Sequence, residues 1–335
     1  MDETLQILLD AYEDAEIQLL SIVARYTLEN ADLDSESWLM VKLQNIQKLR
    51  AELIQTLAQL KQLDSVAAEA LTKQYLRGGS SYVEGFIATN EVALKGYIAD
   101  YTGALRASRF QVLRKTEDAY KRIIFESSMQ GVAGIDTRLT TARTALAKFA
   151  QNGITGFTSK DGRQYDIRSY VQMASRTALN NAFREGRIRG LEQSSHDLII
   201  VSSVPNPSNL CKPWERKILS ISGKSEGYTS LAEAKAAGLF HPNCRHSFSL
   251  YTRGLTVIGE TDAEKGYDNY EATQQQRHAE TKTRDWKRRL TVADTPEEQA
   301  KCKAKIKQWR DTTKQIAADN DLRYKPNRVS LVQAR

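Results

Sequence analysis

Between Leu5 and Leu60 apolar side chains return every three or four residues, and no other feature narrows the fold as much. Leu5, Leu8, Tyr12, Ala15, Leu19, Val23 and Tyr26 fall on one stripe, with Glu13, Asp14 and Glu16 among them. A period near 3.6 places such residues on one face, so residues 4–30 are expected as an amphipathic helix. Asp34 and Ser35 then offer caps for a second helix, which runs to about Leu63 with Leu39, Leu43, Ile46, Leu53, Leu57 and Leu60 in register. Because the spacing alternates four and three, the pair is expected as a helical hairpin or coiled-coil arm.

The same period continues. A short helix over residues 66–75 ends at Arg77-Gly78-Gly79-Ser80, read as a hinge. Residues 82–130 read as helix interrupted by glycines, and another helix follows from about Arg138 to Ala150. Only then does the pattern change. Between Gly153 and Ile167, β-branched and aromatic residues flank Asp161-Gly162, which is a hairpin signature. After a helix over residues 170–192, the run Asp197-Leu-Ile-Ile-Val-Ser-Ser203 is the best strand candidate, short and bounded by turn formers. A loop-rich stretch with Pro205, Pro207 and Pro213 follows, and from Tyr270 the chain is helical again, broken at Thr295-Pro296. The expected fold class is α+β, predominantly α-helical, with long N-terminal helices, a small loop-rich module bearing a short sheet, and basic C-terminal helices. The expected division is 1–80 as a helical arm, 81–152 as a helical connection, 153–265 as the α+β module and 266–335 as a basic tail.

Length and charge bound the rest. A chain of 335 residues exceeds one typical domain and buries a core without staples. Three cysteines make no even disulfide framework, which points to a reducing compartment. The first residues are acidic where a secretion signal is basic, and no apolar run reaches the ~18 residues of a membrane span, so no membrane is expected. The net charge of +7 is unevenly placed: residues 1–64 hold twelve acidic and five basic side chains, whereas 271–335 hold nine and sixteen. Such ends meet different partners or each other. A basic end suits a polyanion, and a solvated helical surface explains it as well.

Several local motifs carry a resemblance. Arg176-Thr177-Ala-Leu-Asn180, Gly186 and the strand candidate resemble the central region of Mu F-like phage head morphogenesis proteins. The likeness sharpens over Leu210-Cys211-Lys-Pro213-Trp214 and over Phe240-His241-Pro242-Asn243-Cys244-Arg245-His246, which resemble the phage minor capsid protein 2 family. The tail agrees, with Arg284-Asp-Trp286-Lys-Arg288 and Gln308-Trp309-Arg310 resembling the basic helices of these proteins. The resemblance spans about 150–325 and marks Arg176, Thr177, Pro213, Trp214, Pro242, Asn243 and Arg245 as structural motif residues. It implies a low-copy virion component acting in head assembly inside the host cytoplasm. Its implied partners are portal protein, major capsid protein, or packaged double-stranded DNA.

Chemically, Cys211, His241, Cys244 and His246 gather two of three cysteines and two of four histidines within a short span. Four N/S donors match a structural zinc site, and the Pro242-Asn243 turn former lets His241 and Cys244 meet. The alternative is that Cys244 packs as a small hydrophobe while the histidines bond within a loop. A catalytic reading takes Cys244 as nucleophile, His241 or His246 as base and Arg245 as a pKa-lowering neighbour, but no third member stands nearby. GxGxxG, Walker, HExxH and GxSxG patterns are absent, so no enzyme is expected. Trp214 reads as a plug for the module core with Ile218, Tyr228 and Phe240. Trp286 and Trp309, interleaved with basic residues, read either as a helix seam or as a surface for nucleic acid, whose contacts would be Lys282, Arg284, Lys287, Arg288 and Arg289.

Overall fold

Helix dominates wherever the 3.6-residue period was legible. The computed structural model describes residues 3–30, 32–86, 91–132, 137–158, 162–262, 264 and 269–329. In chain order its elements are α1 (Glu3–Leu28), α2 (Ser35–Gln44), α3 (Ile46–Ala58), α4 (Leu63–Gly79), α5 (Glu91–Val132), α6 (Arg138–Asn152), β1 (Thr155–Thr158), β2 (Gln164–Asp166), α7 (Ile167–Gln193), β3 (Leu198–Val201), β4 (Ile218–Ser220), β5 (Thr229–Ser230), α8 (Leu231–Ala236), β6 (Phe248–Leu250), α9 (Tyr270–Thr291) and α10 (Pro296–Asp319). The chain is α+β and predominantly α-helical.

Two compact units result, and each draws on distant parts of the chain. One holds residues Met1–Leu63, Leu105–Val171 and Gln275–Arg335; the other holds Asp64–Ala104 and Gln172–Gln274. The four consecutive segments expected from composition therefore do not coincide with compact units. Punctuation marks where helices stop, whereas compactness depends on which faces pack, and the unit boundaries fall within helices.

In the first unit, α1 packs against α3 and α6. Leu8, Leu9, Leu19, Leu20 and Val23 are each at most 1 % exposed, so α1 is buried over most of its surface, with Ile7, Gln18, Ser21 and Arg25 left in solvent along one stripe. The pairing of α1 with α3 expected of a helical hairpin is thus extended by α6. Each such side chain contributes roughly 1.5–3 kcal/mol when taken from water. The second expected helix is divided at Asn45, and Asp34 caps its start by accepting from the backbone of Glu36 and Ser37. The β1–β2 hairpin is antiparallel, as its flanking residues indicate; Gly162 has φ +81°, and Asp161 lies outside the described residues. The acidic N-terminal and basic C-terminal segments meet inside this unit. Buried Glu16 accepts the Ile154 N–H at 2.8 Å and faces Arg288 at 3.6 Å, while Arg288 also binds Asp285 at 2.7 Å. Buried Glu13 pairs with buried Arg168.

In the second unit a four-stranded sheet runs in the order β5-β4-β3-β6. β3 is central and antiparallel to both neighbours, with Ile200 opposite Ile218 and Ser249, and β5 lies parallel to β4. Its core gathers Ile188 and Leu191 of α7, Ile199 and Val201 of β3, Leu219, Leu231, Phe240 and Phe248, with Cys211 and Cys244 among them. Gly78, expected in a hinge, lies within α4 instead. A Cβ there would stand 2.2 Å from the Phe183 carbonyl oxygen, and one on Gly186 would stand 2.0 Å from that of Tyr75. Here glycine serves close contact between α4 and α7.

Candidate metal centre

The sequence His241-Pro242-Asn243-Cys244 forms a reverse turn in which the Cys244 N–H donates to the His241 carbonyl at 3.0 Å. Proline at the second position and asparagine at φ +68° at the third are the residues such a turn favours. One face of α7 grips it. Asn243 donates its N–H to Thr177 Oγ1 at 2.8 Å and accepts from Arg176 Nη1 at 2.6 Å. Asn180 Nδ2 donates to the Cys244 carbonyl and Arg184 Nη1 to the His246 carbonyl, each at 2.8 Å. Positions 176, 180 and 184 recur every four residues, which puts all three on the same side of the helix. On the far side, Arg245 donates to the Pro205 carbonyl.

Cys211 arrives from the other arm of the loop. Its N–H donates to the Ser208 carbonyl, and its own carbonyl accepts from Trp214 across the short 3-10 turn Lys212–Trp214, which has Pro213 at its second position. Trp214 packs against the core cluster that contains Phe240. Ile218 and Tyr228 are not in that cluster.

These scaffolds bring three donors together. Cys211 Sγ stands 3.5 Å from Cys244 Sγ, and Cys244 Sγ stands 3.3 Å from His246 Nδ1. Donor atoms of all three lie within 4.8 Å of one another. Around a tetrahedral zinc ion with bonds of about 2.0–2.3 Å, neighbouring donors are separated by roughly 3.3–3.8 Å, so both short separations fit the edges of such a site. The other imidazole nitrogen, Nε2, is 2.7 Å from Glu215 Oε1. Glu215 also accepts from the Val204 N–H and the Ser203 hydroxyl, which holds its carboxylate still. A carboxylate behind a ligating histidine sets its tautomer and orientation. Between these neighbouring thiols the hydrogen bond from Cys244 pushes Cys211 down, and the same partner and burial push Cys244 up. Burial would lower His246, but hydrogen bonds to Cys211 and Glu215 outweigh it and the imidazole is raised.

The fourth expected ligand stands apart. His241 Nε2 pairs with the Ser208 hydroxyl at 2.7 Å, and Nδ1 lies 2.8 Å from the Pro242 carbonyl. The turn does form at Pro242-Asn243, but it carries Cys244 inward and leaves His241 at its start. Among the described residues no fourth Cys, His, Asp or Glu joins the three. The sequence motifs do not mark Glu215 or Arg184 as site residues. Arg184 continues the four-residue step from Arg176 and Asn180, a signal that was present; Glu215 has no spacing that marks it.

Chemically the arrangement is suited to holding a soft cation and poorly suited to turnover. Cys211, Cys244 and His246 are 0, 3 and 3 % exposed, so a substrate reaches neither sulfur unless the loop opens. The residues expected to meet nucleic acid are drawn into the first unit. Arg284 donates to the Arg328 carbonyl, Lys287 to that of Val329, and Arg288 is buried against Glu16 and Asp285. Arg289 pairs with Glu298 and lies over the Trp286 ring, and only Lys282, paired with Asp285 at 3.6 Å, keeps a third of its side chain in solvent. Once such a side chain is buried its charge needs an opposite partner, a constraint that composition alone does not show.

Among the described residues no helix is long and apolar enough to cross a membrane. Residues 1–318 match the model of the family described as Phage minor capsid protein 2, a span that takes in the N-terminal helices as well as the cysteine-bearing loop. No curated protein and no solved structure matches the chain.

Proposed function

For a chain that belongs to the phage minor capsid protein 2 family, and is thereby a structural component of a phage virion, we propose a non-catalytic role in head assembly near the portal vertex. The observation that carries the non-catalytic part is burial: a Cys/Cys/His constellation at 0–3 % exposure is built as a fold tie rather than as a nucleophile presented to substrate. Portal or major capsid protein is the proposed partner. Crosslinking in assembling heads tests this; crosslinks to portal or capsid protein support it, and a chain recovered free of particles would sink it.

Zinc is the proposed occupant of the Cys211, Cys244 and His246 site, with Glu215 orienting His246. Bound there, the ion supplies no reaction, only a cross-link between two loop arms. Metal analysis of the purified chain should give close to one zinc per chain, falling to background in Cys211→Ser and Cys244→Ser and unchanged in His241→Ala. Equal zinc in all four proteins would refute the assignment.

Contact with packaged DNA belongs to this reading only through α10, where Lys303, Lys307 and Arg310 are exposed. Affinity that falls steeply with salt and weakens when these three are neutralised supports it; salt-insensitive binding removes DNA from the function.

A further inference from the structure

Two sulfurs 3.5 Å apart in a buried pocket make a second kind of bond available besides those to a metal. We infer that Cys211 and Cys244 are an oxidative modification site: with peroxide as co-reactant they close to a disulfide that ties the same two loop arms, in place of the metal. The inference rests on the sulfur geometry and not on zinc being the native occupant.

The geometry supplies what an oxidation of this kind needs. Each sulfur has the other as its nearest thiol, 33 positions away in sequence, and both arms are anchored independently. Cys211 is held by the Ser208 and Trp214 backbone bonds, and Cys244 by its turn and by Asn180. A disulfide requires the sulfurs to close from 3.5 Å to about 2.05 Å. The third cysteine, Cys302, is buried in α10 beside Glu298, in the other unit, and serves as an internal reference.

The reaction balances with peroxide alone. Peroxide reaches the pair when the loop opens; one sulfur then attacks the O–O bond and becomes a sulfenic acid, and the other oxygen leaves as water. The neighbouring sulfur then displaces the sulfenic oxygen: the S–S bond forms, the S–O bond breaks, and a second water departs. The cysteines together lose two hydrogens and two electrons, and the peroxide accepts both. A disulfide sulfur is no longer a thiolate, so the disulfide and the metal exclude one another. A virion component is made in a reducing cytosol and later meets an oxidising exterior. Such a pair keeps the loop tied in both.

The test uses the full-length chain. Metal-stripped, reduced protein and zinc-treated protein are exposed to hydrogen peroxide, then read by intact mass, thiol titration and non-reducing peptide mapping. The stripped chain should become lighter by two hydrogens, lose two of its three titratable thiols and yield one peptide that links Cys211 to Cys244. Its melting midpoint should rise by roughly 5 °C over the stripped, reduced form. Oxygen adducts on separate cysteines without a linked peptide, or a disulfide between chains, would overturn the inference. Cys211→Ser should instead collect oxygen on Cys244; if that variant is poorly folded, the mapping of the unaltered chain decides alone. The two readings fail separately. A linked peptide that forms equally with and without zinc keeps the disulfide and removes the metal, whereas zinc binding with no linked peptide does the reverse.

Discussion

At the scale of single residues, the second unit is organised by side chains that bind backbone. Asp197 accepts from the hydroxyls of Ser220 and Ser225 and from the Ser222 N–H, closing the turn after β4. Burial would raise its carboxyl, but these bonds outweigh it and hold the pKa at about 2. An acid depressed in the folded state stabilises it above the unfolded pKa and loses that contribution as pH falls through the folded one. Asp197→Asn should therefore cost about 1–2 kcal/mol at neutral pH, and the difference from the unaltered protein should shrink between roughly pH 4 and pH 2 in urea unfolding. A difference that stays constant across that window would show that the bonds matter for shape alone. Glu215→Gln should leave the fold in place but lower zinc affinity about 10–100-fold in competition with a chelator, because the imidazole loses its fixed orientation.

At the scale of elements, helix contacts are set by what is missing as much as by what is present. Gly186 stands where a methyl group would meet the Tyr75 carbonyl, so Gly186→Ala should push α4 from α7 and cost about 1–3 kcal/mol. Gly96, within α5, has nothing within 4 Å of the same methyl position. There alanine should raise stability by about 0.5–1 kcal/mol through helix propensity. Thermal melts of the two variants moving in the same direction would contradict the packing argument. Both glycines sit inside helical periodicity and look alike in sequence; only their neighbours tell them apart.

At the scale of the molecule, opposite charge at the two ends of the chain resolves into one unit with an ionic centre. Removing Arg288 takes from buried Glu16 its ion-pair partner and leaves only the more weakly acting Arg284, so Arg288→Ala should destabilise by about 3–5 kcal/mol. Burial already raises the Glu16 carboxyl, and Arg288 only partly opposes this. A raised acid favours the folded state at low pH and loses that advantage as pH rises through its folded value. The damage in Arg288→Ala should accordingly be smaller at pH 4 than at pH 8, while replacing both residues with methionine should restore much of the loss. Calorimetry at the two pH values decides it, and an equal loss at both would mean that Glu16 is already neutral.

What the sequence determined by itself is whatever repeats or is held locally. Helical periodicity from Leu5 onward, the Asp34 cap, the β-hairpin between Gly153 and Ile167, the Pro242-Asn243 turn and the nearness of Cys244 to His246 all depend on residues a few positions apart. Its family-bearing motifs were legible for the same reason. Tertiary structure alone decided that Glu215 stands behind His246, that Cys211 completes the trio while His241 does not, and that Arg284 and Arg288 turn inward. Each of these is a choice of partner across tens or hundreds of residues, made by burial and charge pairing, and such a choice leaves no periodic trace in the chain.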